Sequence, residues 1–204
     1  MLRTFLTALV LIPTVAFAAN KQAEKQVSID TQASKVNWKG SKLFVSDAHH
    51  GTVSLSGGNL TMSGDKITGG EFTIDMTSIK DEDLTDAGYN KKLVGHLNSP
   101  DFFDTAQFKD AKYVITKATA SKNGEYTFDG NLTIHGVTQP QQMKAIVKKE
   151  GGAWVATGQL SFDRTKFNVK YSSQTAFPDL VKKGKDKIIG DQIDIDYTIK
   201  TAAM

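Results

Sequence analysis

The sequence predicts a mainly β protein: an antiparallel sheet closed into an eight-stranded barrel, with a helical insert around residues 83–99 and a short helix near 178–184. Three observations carry this. Apolar residues recur at every second position through most segments, with polar or charged residues between them, the pattern of strands with one dry face. Helical periodicity is confined to two short stretches, too little to cover so many strands. A sheet with one dry face must be covered by a second layer or close on itself, so closure is expected. A two-sheet sandwich is the alternative.

Taken in chain order, the first residues stand apart. Arg3 is the one charge before Lys21, an apolar run extends from Phe5 to Phe17, and Ala16-Phe17-Ala18 has the small-x-small form of a signal-peptidase site. The run is too short to span a bilayer and no stop-transfer charges follow it. Residues 1–18 are therefore expected to be a cleaved secretion signal, leaving 19–204 as one domain. The chain has no cysteine, which rules out disulfides, thiol nucleophiles, cysteine metal sites and a lipid-anchored leader. It carries 25 Lys and Arg against 22 Asp and Glu, too even a balance to predict nucleic-acid binding.

Val36 and Trp38 alternate with polar neighbours, as do Val53 and Leu55. Gly57-Gly58-Asn59 and Gly64-Asp65 read as turns around a short Leu60/Met62 strand. Phe72, Ile74 and Met76 form the next dry face. A helix is expected from near Asp83 or Thr85 to Ser99, because Pro100 disfavours helix at the residue before it. Tyr89, Leu93, His96 and Leu97 would share its apolar face, and Asp81, Glu82, Asp83 and Asp86 crowd the end where the dipole favours negative charge. Tyr113 and Ile115 follow, then Tyr126, Phe128, Leu132 and Ile134. That strand is expected to stop at Gly136-Val137-Thr138, with Pro140 opening a new segment. Met143/Ala145/Val147, then Trp154 through Leu160 and Phe162, then Ile193 through Ile199 complete the strands. Pro178 begins the second helix, which carries Leu180 and Val181.

Chemistry-bearing residues are sparse. His49 and His50 are adjacent, so on a strand they point to opposite faces and chelate poorly. No HExxH spacing, calcium loop, GxSxG, P-loop or dinucleotide fingerprint occurs, and no metal, cofactor or catalysis is expected. His49 and His50 read as a turn-adjacent pair, His96 as a helix-packing residue and His135 as a hydrogen bonder at a strand end. Asp101 and Asp104 could do acid/base work, but read more simply as turn caps while Phe102 and Phe103 anchor the turn. Asp194 and Asp196 fall on a strand's outer face. Arg164, between Asp163 and Thr165, suits either an ion pair or an anionic headgroup. The lysines of 182–187 suit a solvated loop or a headgroup site. An eight-stranded barrel can fill its interior with side chains or hold one small ligand. Alternation alone does not choose.

Four ordered blocks bear a likeness to a known family. Ile29-Asp30-Thr31-x-x-Ser34-x-Val36 is similar to "VDPAHSxV". Lys91 to Phe103 contains the counterpart of "HLxSPDFFD", and Gly130 to Pro140 that of "GDLTIHGVTKP". Phe162-Asp163-Arg164-Thr165-Lys166-Phe167 is like the "R-x-DFG" region, with Asn168 where glycine is common. The chain thus resembles the YceI family of bacterial lipid-binding proteins over nearly all of residues 19–204. It departs from the family where Ser46 to Val53 replaces "GVSxVxGxF". The resemblance implies an extended lipocalin-like barrel, secreted to the periplasm, that carries or sequesters a long-chain isoprenoid or similar amphiphile, a quinone or polyprenyl phosphate among them, without chemistry. The expected ligand-binding residues are Trp38, Phe72, Ile74, Met76, Leu93, Leu97, Phe102, Phe103, Tyr113, Ile115, Tyr126, Phe128, Leu132, Ile134, Leu160, Phe162 and Arg164. Transient membrane contact fits this reading, and the oligomeric state, homodimer included, is left open. The alternatives are a stress-induced interaction module acting through its outer surface, and an enzyme built on His96, His135 and Asp101.

Overall fold

The computed structural model describes residues 23–203; the expected signal segment, 1–18, lies outside the described residues. The strands are β1 (Glu24–Ser28), β2 (Lys35–Lys42), β3 (Ala48–Ser63), β4 (Lys66–Asp81), β5 (Asp110–Ala120), β6 (Glu125–Ile134), β7 (Val137–Glu150), β8 (Ala153–Asp163) and β9 (Ile189–Lys200), with helix α1 (Ala87–Asn98) between β4 and β5. Strands β2 to β9 pair antiparallel in the order β3-β2-β9-β8-β7-β6-β5-β4, and a β3–β4 pairing closes the ring. The expected eight-stranded barrel is therefore closed, and the sandwich is excluded. Strand β1 is extra. It pairs with the far half of β3 (Val27 opposite Leu60) while β2 pairs with the near half (Val36 opposite Val53), so the two continue one another along a single edge.

The β3–β4 hairpin turns at Gly64-Asp65, with Ser63 opposite Lys66. Gly57-Gly58-Asn59, expected as a turn, instead runs on inside β3, which bulges beside it between Leu55 and Gly57. A Cβ on Gly58 would lie 2.5 Å from the Glu71 carbonyl oxygen, so glycine here marks a close backbone approach in a bent strand. The β6–β7 hairpin turns at His135-Gly136, whose φ values of 50° and 72° put both residues in the left-handed region of a two-residue type I′ turn. The strand thus ends one residue earlier than the sequence suggested, and Val137 and Thr138 already belong to β7. Pro140 does not open a segment. It lies within β7 opposite Asn131, before the β7–β8 pairing begins at Lys144, where a missing N–H breaks no ladder on that edge.

Helix α1 starts later than expected. Asp86 is its N-cap, accepting from the N–H groups of Gly88 (2.8 Å) and Tyr89 (2.9 Å). Asp81 and Asp83 do not serve the helix dipole, because both carboxylates are engaged by other partners described below. Tyr89 is 67% exposed and does not share the inward face formed by Leu93, His96 and Leu97. Near Pro178 the chain forms 3-10 turns, Pro178–Lys183 and Lys185–Lys187, and no α-helix; Gly184 at φ 128° separates them. The turn after α1 buries Phe102, as expected, but neither Asp101 nor Asp104 caps it through its side chain. Backbone bonds hold it, with the Asp104 N–H donating to the Ser99 carbonyl.

The two ends of the barrel differ. One is closed by short connections at Gly64-Asp65, Lys122–Gly124 and Gly151-Gly152. The other carries the β2–β3 loop, the α1 insert and the long β8–β9 connection. Outward faces pair across strands as the alternation requires: Gln159 donates to Asp196 (2.6 Å) and Ser161 to Asp194.

Candidate functional site

Below α1 the barrel is hollow. A cavity of about 320 Å³ lies between the inner faces of the strands and the underside of the helix. Of the expected ligand-binding residues, Trp38, Phe72, Ile74, Met76, Leu93, Leu97, Phe102, Phe103, Tyr113, Leu132, Ile134, Leu160 and Phe162 line it. Val36, Leu55, Ile193, Ile195, Tyr197 and Ile199 also line it, although the sequence reading left them out. Their period-2 pattern was visible; which inward residues sit at cavity height was not.

Two tyrosines of the cavity wall are held by strand carbonyls. The Tyr113 ring reaches over the neighbouring strand β6, and its hydroxyl donates to the Phe128 carbonyl (2.9 Å), with the Gln141 carbonyl 3.0 Å away. The Tyr197 hydroxyl donates to the Lys144 carbonyl at 3.0 Å. Each ring lies over a glycine: a Cβ on Gly130 would sit 2.6 Å from the Tyr113 hydroxyl, and one on Gly158 2.5 Å from that of Tyr197. Burial raises both phenols well above their ordinary pKa, so they remain protonated donors. Ile115, Tyr126 and Phe128 do not line the cavity, which corrects their expected place in its wall. They lie toward the tight-turn end, where Tyr126 and Phe128 stack at 5.4 Å and fill the barrel.

Arg164 also leaves the site. Its side chain is fully buried and donates to the carbonyls of Gly190 (3.0 Å), Val169 (2.9 Å) and Ile189 (3.2 Å), with Asp191 at 3.5 Å and the Phe102 ring 5.3 Å below the guanidinium. Four hydrogen bonds within the chain hold the guanidinium, so the ion-pair reading holds, with Asp191, and the group stays out of the cavity wall. Its work is to fasten the β8–β9 connection onto the start of β9.

Polar groups enter the wall only at the lid end, from Ser41, Lys42, Asp47, His49 and His96. Lys42 pairs with Asp47 at 2.7 Å. His96 packs edge-on against Tyr171 (4.5 Å) and Phe102 (5.9 Å), the helix-packing role expected of it. His135 does not hydrogen-bond as expected. Its ring tilts against Phe108 at 4.4 Å and its buried Nδ1 has no partner. His49 and His50 sit at the start of strand β3, just after the β2–β3 loop, as the turn-adjacent reading expected. The His49 Nδ1 lies 2.9 Å from one Asp83 oxygen, and the His50 backbone N–H donates to the other at 2.7 Å. Although burial pushes it upward, these bonds hold the Asp83 carboxyl down to about 2. Burial raises neighbouring Asp81, and Asp83 adds to the rise against the N–H of Leu84. Among the described residues, His49, Asp81 and Asp83 form the one set of three ligating side chains whose donor atoms lie within 4.8 Å of one another; His96, His135 and Asp101 form none.

The model of the YceI-like domain matches residues 28–201. The chain belongs to the YceI-like family. A UPF0312 protein of Pseudomonas putida (strain W619) is 34% identical over 131 residues, 63% of this chain and 64% of that protein, so the match spans a little under two thirds of its length. Another, from Pseudomonas fluorescens (strain SBW25), is 33% identical over 155 residues, covering 74% of this chain and 76% of the relative. Among solved YceI-like folds, Burkholderia cenocepacia BcnA superposes with a TM-score of 0.64 at 22% identity, over 85% of this chain and 99% of that one. A polyisoprenoid binding domain from Saccharophagus degradans, implicated in plant cell wall breakdown, gives 0.60 at 15%, over 90% of this chain and all of that domain. At such identities the likeness is one of fold.

Proposed function

We propose that this YceI-like protein is a periplasmic carrier that holds the hydrocarbon tail of one long-chain isoprenoid or similar amphiphile in its cavity, and performs no catalysis on it. The observation that carries this reading is a hollow with apolar walls whose charged and imidazole groups all lie at its lid end. Such a shape suits a molecule with one long apolar part and one polar end. At about 320 Å³ the cavity falls at the small end of ligand sites, which run from about 300 to 1,000 Å³. Part of a long tail fits within it, and the rest with the headgroup lies at the mouth beside Lys42 and His49. Each buried methylene contributes about 0.8 kcal/mol, so a partly inserted tail still binds firmly. The fold shared with the Saccharophagus polyisoprenoid binding domain supports the ligand class.

A rim at the same end suits cargo exchange with a membrane. Leu43, Phe44 and Val45, consecutive in the β2–β3 loop, are 50, 43 and 40% exposed, and Phe177 is 52% exposed. The Lys185 ammonium stands 5.7 Å from the Phe44 ring, bringing the lysine-rich 182–187 segment beside this apolar edge. Apolar side chains flanked by lysine suit a surface of anionic phospholipid. The secretion signal expected at residues 1–18 supports delivery to the periplasm. Native mass spectrometry of protein released from the periplasm, followed by extraction and identification of the adduct, tests the proposal. An isoprenoid adduct at one per chain is expected. A protein that neither carries nor takes up any isoprenoid when offered one overturns it.

A further inference from the structure

We propose that His49, Asp81 and Asp83 form a binding site for one divalent transition-metal ion of the zinc type at the root of helix α1. The three residues come from different segments. His49 is near the start of β3, Asp81 ends β4, and Asp83 lies in the link to α1; the β3–β4 register, with Gly51 opposite Asp81, brings them together. Their donor atoms fall within 4.8 Å of one another.

The orientation of each carboxylate is what singles out the cluster. Asp83 has one oxygen held by the His50 backbone N–H (2.7 Å), which leaves the other turned to His49 Nδ1 at 2.9 Å. Asp81 has one oxygen held by the Leu84 N–H (2.9 Å) and the Asn90 side-chain amide (3.0 Å). Its second oxygen is buried without a hydrogen-bond partner, on a residue that is only 7% exposed. A buried carboxylate oxygen facing a second carboxylate calls for a proton or a cation between them. Donors behind the ligands fix one oxygen of each acid and free the other, the outer-shell arrangement of metal sites.

The donor set decides the class of ion. One imidazole nitrogen and two carboxylate oxygens, with a position left over, suit zinc and its first-row neighbours. Calcium asks for six to eight oxygens and magnesium for an octahedron rich in water, and neither favours imidazole. Because Asn90 belongs to α1 and Asp83 lies just before it, an ion there would tie the lid helix to the barrel wall.

The test uses the untagged chain, stripped with EDTA and titrated with zinc chloride by calorimetry, alongside Asp81→Asn and His49→Ala. Nitrogen-resolved spectra of the imidazoles report which ring nitrogen changes. The expected result is one zinc per chain, a shift at His49 Nδ1, and a thermal midpoint that rises with zinc. Asp81→Asn keeps the shape and supplies an N–H where the shared proton would sit. It should stay folded yet lose at least about 100-fold in affinity, beyond the roughly 10–100-fold of an outer-shell change. His49→Ala should lose as much, and it decides the matter should Asp81→Asn not fold. Absence of zinc binding by the parent chain would show that a proton alone bridges the carboxylates, and overturns the proposal. Binding that survives both substitutions is adventitious and also overturns it.

Discussion

At the scale of single residues, two tyrosines and an arginine fasten the barrel through buried hydrogen bonds to backbone carbonyls. Tyr113 and Tyr197 lie over their neighbouring strands because Gly130 and Gly158 leave room for their rings and the strand carbonyls accept their hydroxyls. Replacing Tyr113 by Phe removes a buried hydrogen bond and nothing else, so it should cost about 1 kcal/mol, read as a lower urea midpoint with unchanged slope. Gly130→Ala should cost more. Its Cβ would meet both the Tyr113 hydroxyl (2.6 Å) and the Val114 carbonyl oxygen (2.5 Å), and the backbone cannot yield cheaply. Arg164 is the strongest single fastening. Arg164→Leu strands three carbonyls and Asp191, and should lower stability by about 3–5 kcal/mol. The fraction still folded should take up lipid as before, since the guanidinium is nowhere in the cavity wall. A loss of uptake without a loss of stability would return Arg164 to the site. Sequence alone offered both readings, because an arginine beside an aspartate looks the same whether it points at a carbonyl cage or at a headgroup.

At the scale of elements, α1 and the rim loops carry the exchange of cargo. Helix α1 has no buried residue, and its Leu93 and Leu97 face the cavity from the lid side. The pair Leu93→Glu and Leu97→Glu should therefore leave the urea midpoint within about 1 kcal/mol, since partly exposed positions tolerate charge. The same pair should weaken retention of a bound isoprenoid, because it sets two charges on an apolar wall. Retention can be followed by dilution and native mass spectrometry; tails held as firmly as before would show that the helix does not cover them. The rim makes a separable prediction. Charge reversal at Lys182, Lys185 and Lys187 together with Phe44→Ser should abolish sedimentation with vesicles containing anionic phospholipid, while uptake of detergent-dispersed isoprenoid persists. Unchanged sedimentation would mean that the rim is simply a solvated loop. The helix boundary shows why elements were only partly legible. Asp81, Glu82 and Asp83 read as dipole-stabilising acids, but Asp83 bonds to His49 and His50, which the strand register delivers, and Asp81 to the Leu84 N–H and the Asn90 amide. Local sequence cannot weigh a local use against a distant one.

At the scale of the whole molecule, closure was legible because it follows from a deficit: many one-sided strands and too little helix to cover them. The depth of the hollow was not. Alternation marks every inward residue alike, so Ile115, Tyr126 and Phe128 looked equivalent to Phe72 and Leu132. Only the strand register places the first three toward the tight-turn end, outside the cavity wall. This division yields a last prediction about how the molecule responds to cargo. A ligand that binds the folded barrel alone stabilises it by about 2.7 kcal/mol at a hundred times its dissociation constant. The gain should depend on the tail entering the upper half of the barrel. Filling that half with Leu160→Trp, a cavity-wall position opposite Ile195, should cancel most of the thermal shift that isoprenoid produces on the parent chain. Toward the tight-turn end, Phe128→Leu should lower the starting midpoint but leave the ligand-induced shift intact, because Phe128 is core and not cavity wall. Differential scanning calorimetry with and without ligand reads both. Equal shifts in the parent and Leu160→Trp would place the tail outside the cavity, whereas a shift lost in Phe128→Leu would mean that the tail reaches the tight-turn end.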